Sequence, residues 1–461
     1  MSDWITVIPP LLAVIVVLWK KEVILALFSA ILSSELLILL AGDAQSAPIS
    51  GFAIASLERV VAVFESGGNT RILVFSLLVG ALLAFMRHSG GVTATVNYLI
   101  EKGLSGSPLK ARLLAFFTGV VIFIESNLSV LMAGIISRGL FDKFKMSRAR
   151  LAYIIDSTSA PICILLLMNG WGAYVLGLLG TYDLNQSAVS VLLQTIPLNF
   201  YALITLGIVL YTILADKTHG PMKQAELEQK SQQASVELEE PASKARFMLV
   251  PLFTMSFSMV GFMFLTGNGD FTAGSGSKSV LYATALACLV AYIMMVGSKR
   301  FNHKDMTQLS FKGMAELLPL VVIVLFSLAL GASLKQLGTG TFISGLVADN
   351  LPVFLIPAII FLAGALMSFS TGTSWGTFAI LIPIGMPLVI HLGLPAPLIL
   401  AAILGGGIFG DHCSPISDTT AVSAVASGCD LLEHVKTQLP YALVAGALTF
   451  AAYLMAGLFM L

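Results

Sequence analysis

A polar motif interrupts an apolar stretch late in the chain. It occupies residues 410–420 and reads Gly-Asp-His-Cys-Ser-Pro-Ile-Ser-Asp-Thr-Thr, with Asp411 and Asp418 as its acids. An isolated acid at the centre of a membrane-spanning helix costs about 2.5–3.5 kcal/mol on insertion scales. Such a cost persists only where the acid faces a cavity, an ion or another polar group. The motif therefore predicts a functional cluster of buried oxygen atoms, although Asp418 could cap a helix end instead of binding a ligand.

Pro415 explains how this motif could bind a cation. Proline has no backbone N–H, so the carbonyl of Asp411 loses its helical partner. A freed carbonyl, a carboxylate and the hydroxyls of Ser414 and Thr419 are hard oxygen ligands, which hard cations such as sodium require. We therefore expect the helix to break here and the break to bind an ion.

The first half of the chain contains a looser counterpart of this motif. Residues 156–161 read Asp-Ser-Thr-Ser-Ala-Pro, and Pro161 would free the carbonyl of Ser157 in the same way. We expect Asp156, Ser157 and Ser159 to line this first break.

A polar sequence between two apolar arms precedes each predicted break. Region 113–137 contains Glu-Ser-Asn-Leu-Ser at 125–129, and region 353–390 contains Ser-Thr-Gly-Thr-Ser-Trp-Gly-Thr at 370–377. We expect two hairpins whose tips meet the two breaks, the first tip with the first break and the second with the second, which gives two oxygen-lined sites. The predicted tip ligands are Glu125, Ser126, Asn127, Thr371, Thr373 and Ser374.

Ion and proton binding would be divided among these groups. We expect sodium to be bound through Asp156, Asn127, Thr373 and Asp411. Proton coupling needs a carboxylate that takes either a proton or sodium, because burial raises the pKa of a carboxyl group and a bound cation lowers it. The candidates are Asp411, Asp156 and Glu125, although Glu125 could instead accept backbone N–H groups at its own tip.

Composition shows which elements must position these side chains. Of 461 residues, 57% are hydrophobic and 11% are charged, whereas a soluble domain carries about 25% charged residues. Apolar runs of about 20 residues recur, each long enough to cross a hydrocarbon core of about 30 Å. We predict an all-α polytopic membrane protein with about ten full spans, at roughly 4–19, 22–41, 70–86, 151–180, 187–214, 247–266, 279–297, 314–333, 397–428 and 439–460.

Basic residues predict the orientation, because cytoplasmic loops carry an excess of lysine and arginine. With the N-terminus outside and 113–137 as a re-entrant hairpin, 21 of the 25 basic residues fall on the cytoplasmic side. A single crossing at 113–137 would separate the basic residues that flank both its ends, and arms of about 12 residues are too short to cross twice. Region 353–390 has longer arms, so it is either a hairpin or two thin crossings.

The hydrophilic stretch 216–246 divides the chain into two similar halves. Its mixed charge and its Gln and Ser content predict a flexible cytoplasmic linker. Residues 1–215 and 247–461 each contain five spans plus a re-entrant hairpin and an interrupted helix. The hairpins are 113–137 and 353–390, and the interrupted helices are 151–180 and 397–428. The halves start on opposite sides, which predicts two inverted repeats, an architecture of secondary transporters with a site near the midplane.

The two motifs of the second half resemble a known signature. Gly-Thr-Ser-Trp-Gly-Thr at 372–377, followed by the motif at 410–420, resembles the NhaC family of sodium/proton antiporters, and the resemblance runs over nearly the whole membrane part. The tip at 125–127 is also similar to the Ser-Asn tips of sodium/dicarboxylate carriers in the broader ion-transporter superfamily. The resemblance implies that tips and breaks hold sodium and substrate, and that the protein is a homodimer that moves like an elevator.

These observations favour a multi-pass secondary transporter of the bacterial inner membrane. Sodium/proton antiport is the first expectation, and sodium-coupled carriage of an amino acid or carboxylate is the alternative, because the resembling family includes both kinds of carrier. The sequence has no His-Glu-x-x-His zinc motif and no phosphate-binding loop, so we expect no enzymatic activity and no cofactor besides the transported sodium and protons. The zero net charge gives no argument for nucleic acid, and the partner is the lipid bilayer.

Overall fold

The computed structural model of the chain describes residues 3–20, 22–41, 51–91, 94, 98, 106–123, 125–166, 169–228, 243–270 and 274–461. Within these ranges the chain is helical and has no β-strand. Residues 229–242 of the predicted linker, Ile124 of the first hairpin and residues 167–168 of the first interrupted helix lie outside the described part.

Twenty α-helices form within the described residues. In the first half and the linker they are α1 (Ile8–Lys20), α2 (Val23–Ala41), α3 (Gly51–Ala62), α4 (Gly67–His88), α5 (Pro108–Val121), α6 (Ser126–Lys143), α7 (Arg148–Leu165), α8 (Gly170–Leu179), α9 (Ala188–Thr195), α10 (Phe200–Leu214) and α11 (Pro221–Glu228). In the second half they are α12 (Arg246–Thr266), α13 (Gly276–Gly297), α14 (His303–Leu337), α15 (Thr339–Asn350), α16 (Ile356–Thr371), α17 (Ser374–Leu392), α18 (Ala396–Cys413), α19 (Asp418–Ser427) and α20 (Leu431–Met460).

The helices confirm an all-α membrane protein of about ten spans. In the described part of the chain, nine helices are long and apolar enough to cross a membrane, or up to eleven if each of two bent pairs is one span. The bent pairs are α7 with α8, and α9 with α10. The first predicted span is a shorter apolar helix, Trp4–Val17. Both arms of region 353–390, α16 and α17, are among the nine, whereas α5 and α6 of region 113–137 are not.

The second interrupted helix breaks where proline predicts it. Helix α18 ends at Cys413 and α19 begins at Asp418, so the break covers Ser414–Ser417 and includes Pro415. The side chain of Ser417 caps α19 by accepting the N–H of Thr420.

The first interrupted helix breaks later than predicted. Pro161 lies inside α7, which continues to Leu165. The expected break at Pro161 is wrong because proline removes one N–H donor, and the hydrogen bonds of the neighbouring turns still hold the helix together. The interruption falls before α8, whose first turn is capped by Asn169 through the N–H of Gly172, at 3.1 Å.

Part of the predicted linker is ordered, so the expectation of a flexible segment is wrong for residues 221–228. These residues form α11, which packs against α7 and α20. Met222 is fully buried, and the carboxylate of Glu226 accepts the hydroxyl of Ser147 at 3.1 Å. Burial of one apolar face explains why a sequence rich in charge still folds here.

Each hairpin lies against an interrupted helix of its own half and touches the other half. Helices α5 and α6 pack on α7, and α16 and α17 pack on α18. In addition, α6 packs on α19, and α17 contacts α8. The close contact of α6 with α19 requires Gly134, because a Cβ atom there would lie 2.6 Å from Cβ of Ala426. The packing therefore brings both tips to the same central region.

Candidate functional site

The tip of the second hairpin is held against the second break. Gly372 links α16 to α17 with φ +68°, and a Cβ atom there would lie 2.5 Å from the carbonyl oxygen of Ile416. Only glycine adopts this backbone at so close an approach without strain. On the other side, the hydroxyl of Ser414 donates to the carbonyl of Phe369 at 2.7 Å. These contacts fix the position of the tip relative to the break.

Asp411 lies at the centre of this junction. It occupies the last turn of α18 and is 1% exposed. The hydroxyls of Ser374 and Thr419 donate to its Oδ2 at 3.5 and 3.4 Å, and the hydroxyl of Thr420 donates to its backbone carbonyl at 3.5 Å. Its Oδ1 is buried and has no hydrogen-bond partner among the described residues. One carboxylate oxygen is therefore open to a proton or a cation.

The tip of the first hairpin begins α6. The carboxylate of Glu125 caps this helix by accepting the N–H groups of Asn127 at 2.9 Å and Leu128 at 2.7 Å, while the hydroxyl of Ser126 reaches it at 3.4 Å. The capping role considered for Glu125 is thus present. Its carboxylate bonds neutral donors, so these contacts leave its charge uncompensated.

This first tip meets both interrupted helices. The amide of Asn127 donates from Nδ2 to Oδ2 of Asp418, at the second break, at 3.2 Å. The tip also meets the actual end of the first interruption, where Asn169 Nδ2 donates to the carbonyl of Phe123 at 2.8 Å. The first tip thus contacts the second break in addition to the first interruption.

A single cavity of about 260 Å³ joins the two tips. Glu125 and Asn127 line it from the first tip, Thr373 and Trp375 from the second, and Asp418 from the second break. Gly170 and Trp171, at the start of α8, complete this wall, and residues of α4 and α14 close the opposite side. The two tips and the second break thus share one cavity in the described structure.

Asp156 belongs to a second, fully buried cluster. It accepts the side-chain amide of Gln438 at 2.6 Å, and Nε2 of His434 lies 3.3 Å from the same Oδ2. Gln438 also donates to the backbone carbonyl of His412 at 3.0 Å, and Nδ1 of His412 lies 3.1 Å from the hydroxyl of Tyr201. Oδ1 of Asp156 is another buried oxygen without a partner in the described part of the chain.

Three members of this cluster were not predicted. His434 and Gln438 lie one turn apart on α20, a spacing that places both on one face of a helix, and this was the available signal. Tyr201, beside Asn199 at the bend of α9 and α10, gave no recognisable pattern.

The remaining predicted ligands divide into two groups. Ser157 donates to Oε1 of Gln438 at 3.4 Å and so joins the Asp156 cluster. Ser159 and Thr371 instead donate to carbonyls of their own helices, at 2.6 and 2.9 Å. A hydroxyl bonded to the preceding turn is held on the helix, so neither is directed at the cavity in this conformation.

Hydrogen bonds connect the two clusters. Gln438 donates both to Asp156 and to the backbone carbonyl of His412, the residue that follows Asp411. A change at one carboxylate can therefore reach the other through shared hydrogen bonds.

Helix breaks and hairpin tips that meet around buried carboxylates, inside a bundle of membrane-spanning helices, define a secondary transporter. The family model described as the Na+/H+ antiporter family matches residues 162–458. The chain belongs to this family and is a multi-pass membrane protein.

Comparisons with individual proteins agree with this class. The chain is 31% identical to an uncharacterised protein of Haemophilus influenzae over 99% of its own length and 91% of the relative. A malate-2H+/Na+-lactate antiporter of Bacillus subtilis is 33% identical over 187 residues, which is 37% of each protein. The solved structure of MtrF from Neisseria gonorrhoeae, described among antimetabolite efflux pumps, shares the fold with a TM-score of 0.60 at 13% identity, over 94% of both chains.

Proposed function

We propose that this protein exchanges sodium ions for protons across a bacterial inner membrane. The observation that carries the proposal is Asp411, a buried carboxylate at a helix break with one unpartnered oxygen, next to the hydroxyl of Ser374 from a hairpin tip and that of Thr419 from the helix after the break. A carboxylate in such a place binds a cation or a proton, but not both at once. This competition is the chemical requirement for antiport.

Sodium would bind between the second break and the two tips. Asp411 and Asp418 supply charge, and Ser374, Thr419 and Asn127 supply neutral oxygens. Contacts among these five residues, at 3.2–3.5 Å, already connect them in pairs. In our proposal these oxygens move together around a common cation, because sodium favours several oxygen ligands.

Protons would use the neighbouring cluster as well as Asp411. Asp156 and His434 form a buried acid–imidazole pair within 3.3 Å. Because Gln438 bonds both Asp156 and the carbonyl of His412, next to Asp411, arrival of sodium at the break would change proton occupancy at Asp156.

During ion exchange, an elevator-like movement of the tips and breaks would open the site to one side of the membrane and then to the other. In our proposal the N-terminus is outside, segment 216–246 is cytoplasmic, and two copies assemble as a homodimer. The ordering of α11 against α7 and α20 supports a fixed position for the start of that segment.

Purified protein in liposomes tests the proposal directly. We expect an imposed sodium gradient, with no organic solute present, to drive proton movement that an internal pH dye reports. Asp411→Asn should abolish it, while Asp183→Asn, at an exposed loop residue, should not. Active, inserted protein that moves no protons would refute the antiport.

A second candidate is sodium-coupled carriage of an organic solute. The cavity of about 260 Å³ favours it, because a sodium ion alone needs far less space. In the same liposomes, uptake of a labelled solute that requires sodium would establish this activity.

A further inference from the structure

The central cavity is larger and less polar than an ion site requires. Its volume is about 260 Å³, whereas roughly 10–15 Å³ suffices for one water molecule. Phe75, Val79, Leu317, Leu320 and Ile323 line the side opposite the tips. A concave, largely apolar surface with a few polar groups at one end is typical of a site for a small organic molecule.

The polar end of the cavity is acidic. Glu125 and Asp418 line it, Glu316 of α14 lies on the facing side, and no lysine, arginine or histidine is among the cavity's described lining residues. Glu316 is paired with Arg87 at 2.5 Å. Glu125 and Asp418 accept only from neutral N–H, amide and hydroxyl donors in the described part of the chain, so no basic side chain there pairs with either carboxylate. One sodium ion would compensate one of them and leave the other.

Aromatic rings form the wall next to these acids. The rings of Trp171 and Trp375 lie 5.0 Å apart, and Tyr174 lies 4.8 Å from Trp375. Tryptophan is the ring that binds cations best through its face. Trp171 is 1% exposed, and its Nε1 has no partner among the residues that the structure describes; Oδ1 of Asn127 is likewise unpartnered. Oδ1 of Asn127 can accept a hydrogen bond from a cationic group, whereas Nε1 of Trp171 is a donor and does not bind one.

From this combination we infer that the cavity binds an organic cation, with a protonated amine or a guanidinium group on a short aliphatic body. The cationic group lies between Glu125 and Asp418, beside Trp375, and the aliphatic part lies against α4 and α14. A dicarboxylate is disfavoured because it would face two uncompensated carboxylates. The inference rests on the proposed function, since it names the substrate class of that same transport site.

Thermal unfolding of the purified full-length protein, at fixed sodium concentration, tests this class. The probes are arginine, agmatine and putrescine, with citrulline as the neutral counterpart of arginine and malate as a dicarboxylate. We expect at least one cation to raise Tm by a few degrees at saturation, and citrulline and malate to leave it unchanged. The same cation should exchange with its labelled form in liposome counterflow.

Two variants place the ligand in the cavity. Glu125→Gln and Trp375→Leu should each weaken binding of the cation roughly tenfold. Their matched controls are Glu65→Gln and Trp19→Leu, both at exposed positions, which should bind normally. If Glu125→Gln does not fold, Trp375→Leu alone still tests the location.

The outcomes separate this inference from the antiport itself. If no cation shifts Tm while a sodium gradient still drives proton movement, the inference is wrong and the antiport stands. A shift with malate alone also overturns it, as does cation binding that the cavity variants weaken no more than their controls do. Absence of both proton movement and cation binding refutes the two proposals together.

Discussion

Asn127 and Asp418 are separated by 291 residues in sequence, yet Nδ2 of the asparagine donates to Oδ2 of the aspartate at 3.2 Å. This hydrogen bond joins the tip of the first hairpin to the helix break of the second half. A charge-assisted bond of this kind is among the stronger ones in proteins. It makes the geometry of one half depend on that of the other.

The bond predicts energetic coupling between the two residues. We expect Asn127→Ala and Asp418→Ala each to raise the KM for sodium, and the double variant to raise it less than the product of the two effects. The coupling should be about 1 kcal/mol or more, or roughly fivefold in KM. The measurement is sodium-driven proton flux in liposomes across a sodium titration. If the effects of Asn127→Ala and Asp418→Ala on KM simply multiply, the predicted coupling is absent. Simple multiplication is the result expected for the control pair, Asn127→Ala with Glu65→Gln.

Alanine substitution should affect transport differently at two glycines, one of which lies at the turn of the second hairpin. Gly372 and Gly393 both have positive φ, +68° and +66°. A Cβ atom at Gly372 would strike the carbonyl of Ile416, whereas one at Gly393 has no described atom within 4 Å. An alanine at either position costs about 1–2 kcal/mol in backbone strain, but only Gly372→Ala must also displace the break.

We therefore expect Gly372→Ala to lose most transport activity and Gly393→Ala to retain it, with only a modestly lower Tm. Flux in liposomes and thermal unfolding of the same preparations measure both effects. Equal activity in the two variants would show that contact of the tip with the break is unimportant for transport.

Sequence reasoning located the second break better than the first for a physical reason. After Pro415 comes Ser417, whose side chain caps a new helix, so α18 ends just before the proline. At Pro161 the surrounding residues hold the helix, and the interruption falls before Asn169. The Asn-Gly pair at 169–170 is an N-cap signal, and it would have given the correct position.

Contacts between halves were harder to predict than the elements. The residue types at 125–127, 373–374 and 411–418 indicated oxygen ligands, and the structure brings several of them together. Nothing in the spacing showed that Asn127 would meet Asp418, because such pairing depends on how two separate helical units pack. His434 and Gln438 lie in an otherwise ordinary apolar span, and their role depends on the position of Asp156.

His434 provides a prediction about proton movement alone. Its Nε2 lies 3.3 Å from Asp156, away from the described contacts of Asp411. We expect His434→Gln to lower sodium-driven proton flux by roughly tenfold or more, while sodium still stabilises the protein against thermal unfolding. His391→Gln is the control, because His391 is exposed and bonds Thr341. Equal loss of sodium stabilisation and proton flux would place His434 in the sodium site instead.

The short first arm of the first hairpin predicts that both ends of the hairpin lie on the same face of the membrane. Helix α5 has 14 residues and extends about 21 Å at 1.5 Å per residue, which is shorter than a hydrocarbon core of about 30 Å. A hairpin that enters and returns therefore places Lys110 and Lys143 on one side, together with Lys217. Lys335 should lie on the opposite side, because an odd number of predicted spans separates it from Lys217.

Single cysteines at these four exposed positions test this topology. They are introduced in a background without the native cysteines and labelled with a membrane-impermeant maleimide, on intact cells and on inverted vesicles. We expect labelling at Lys110→Cys, Lys143→Cys and Lys217→Cys only in inverted vesicles, and at Lys335→Cys only in cells. Labelling of Lys110→Cys and Lys143→Cys from opposite faces would mean that region 113–137 crosses the membrane. The charge argument for the orientation would then fail, because the basic residues on either side of that region would lie on different faces.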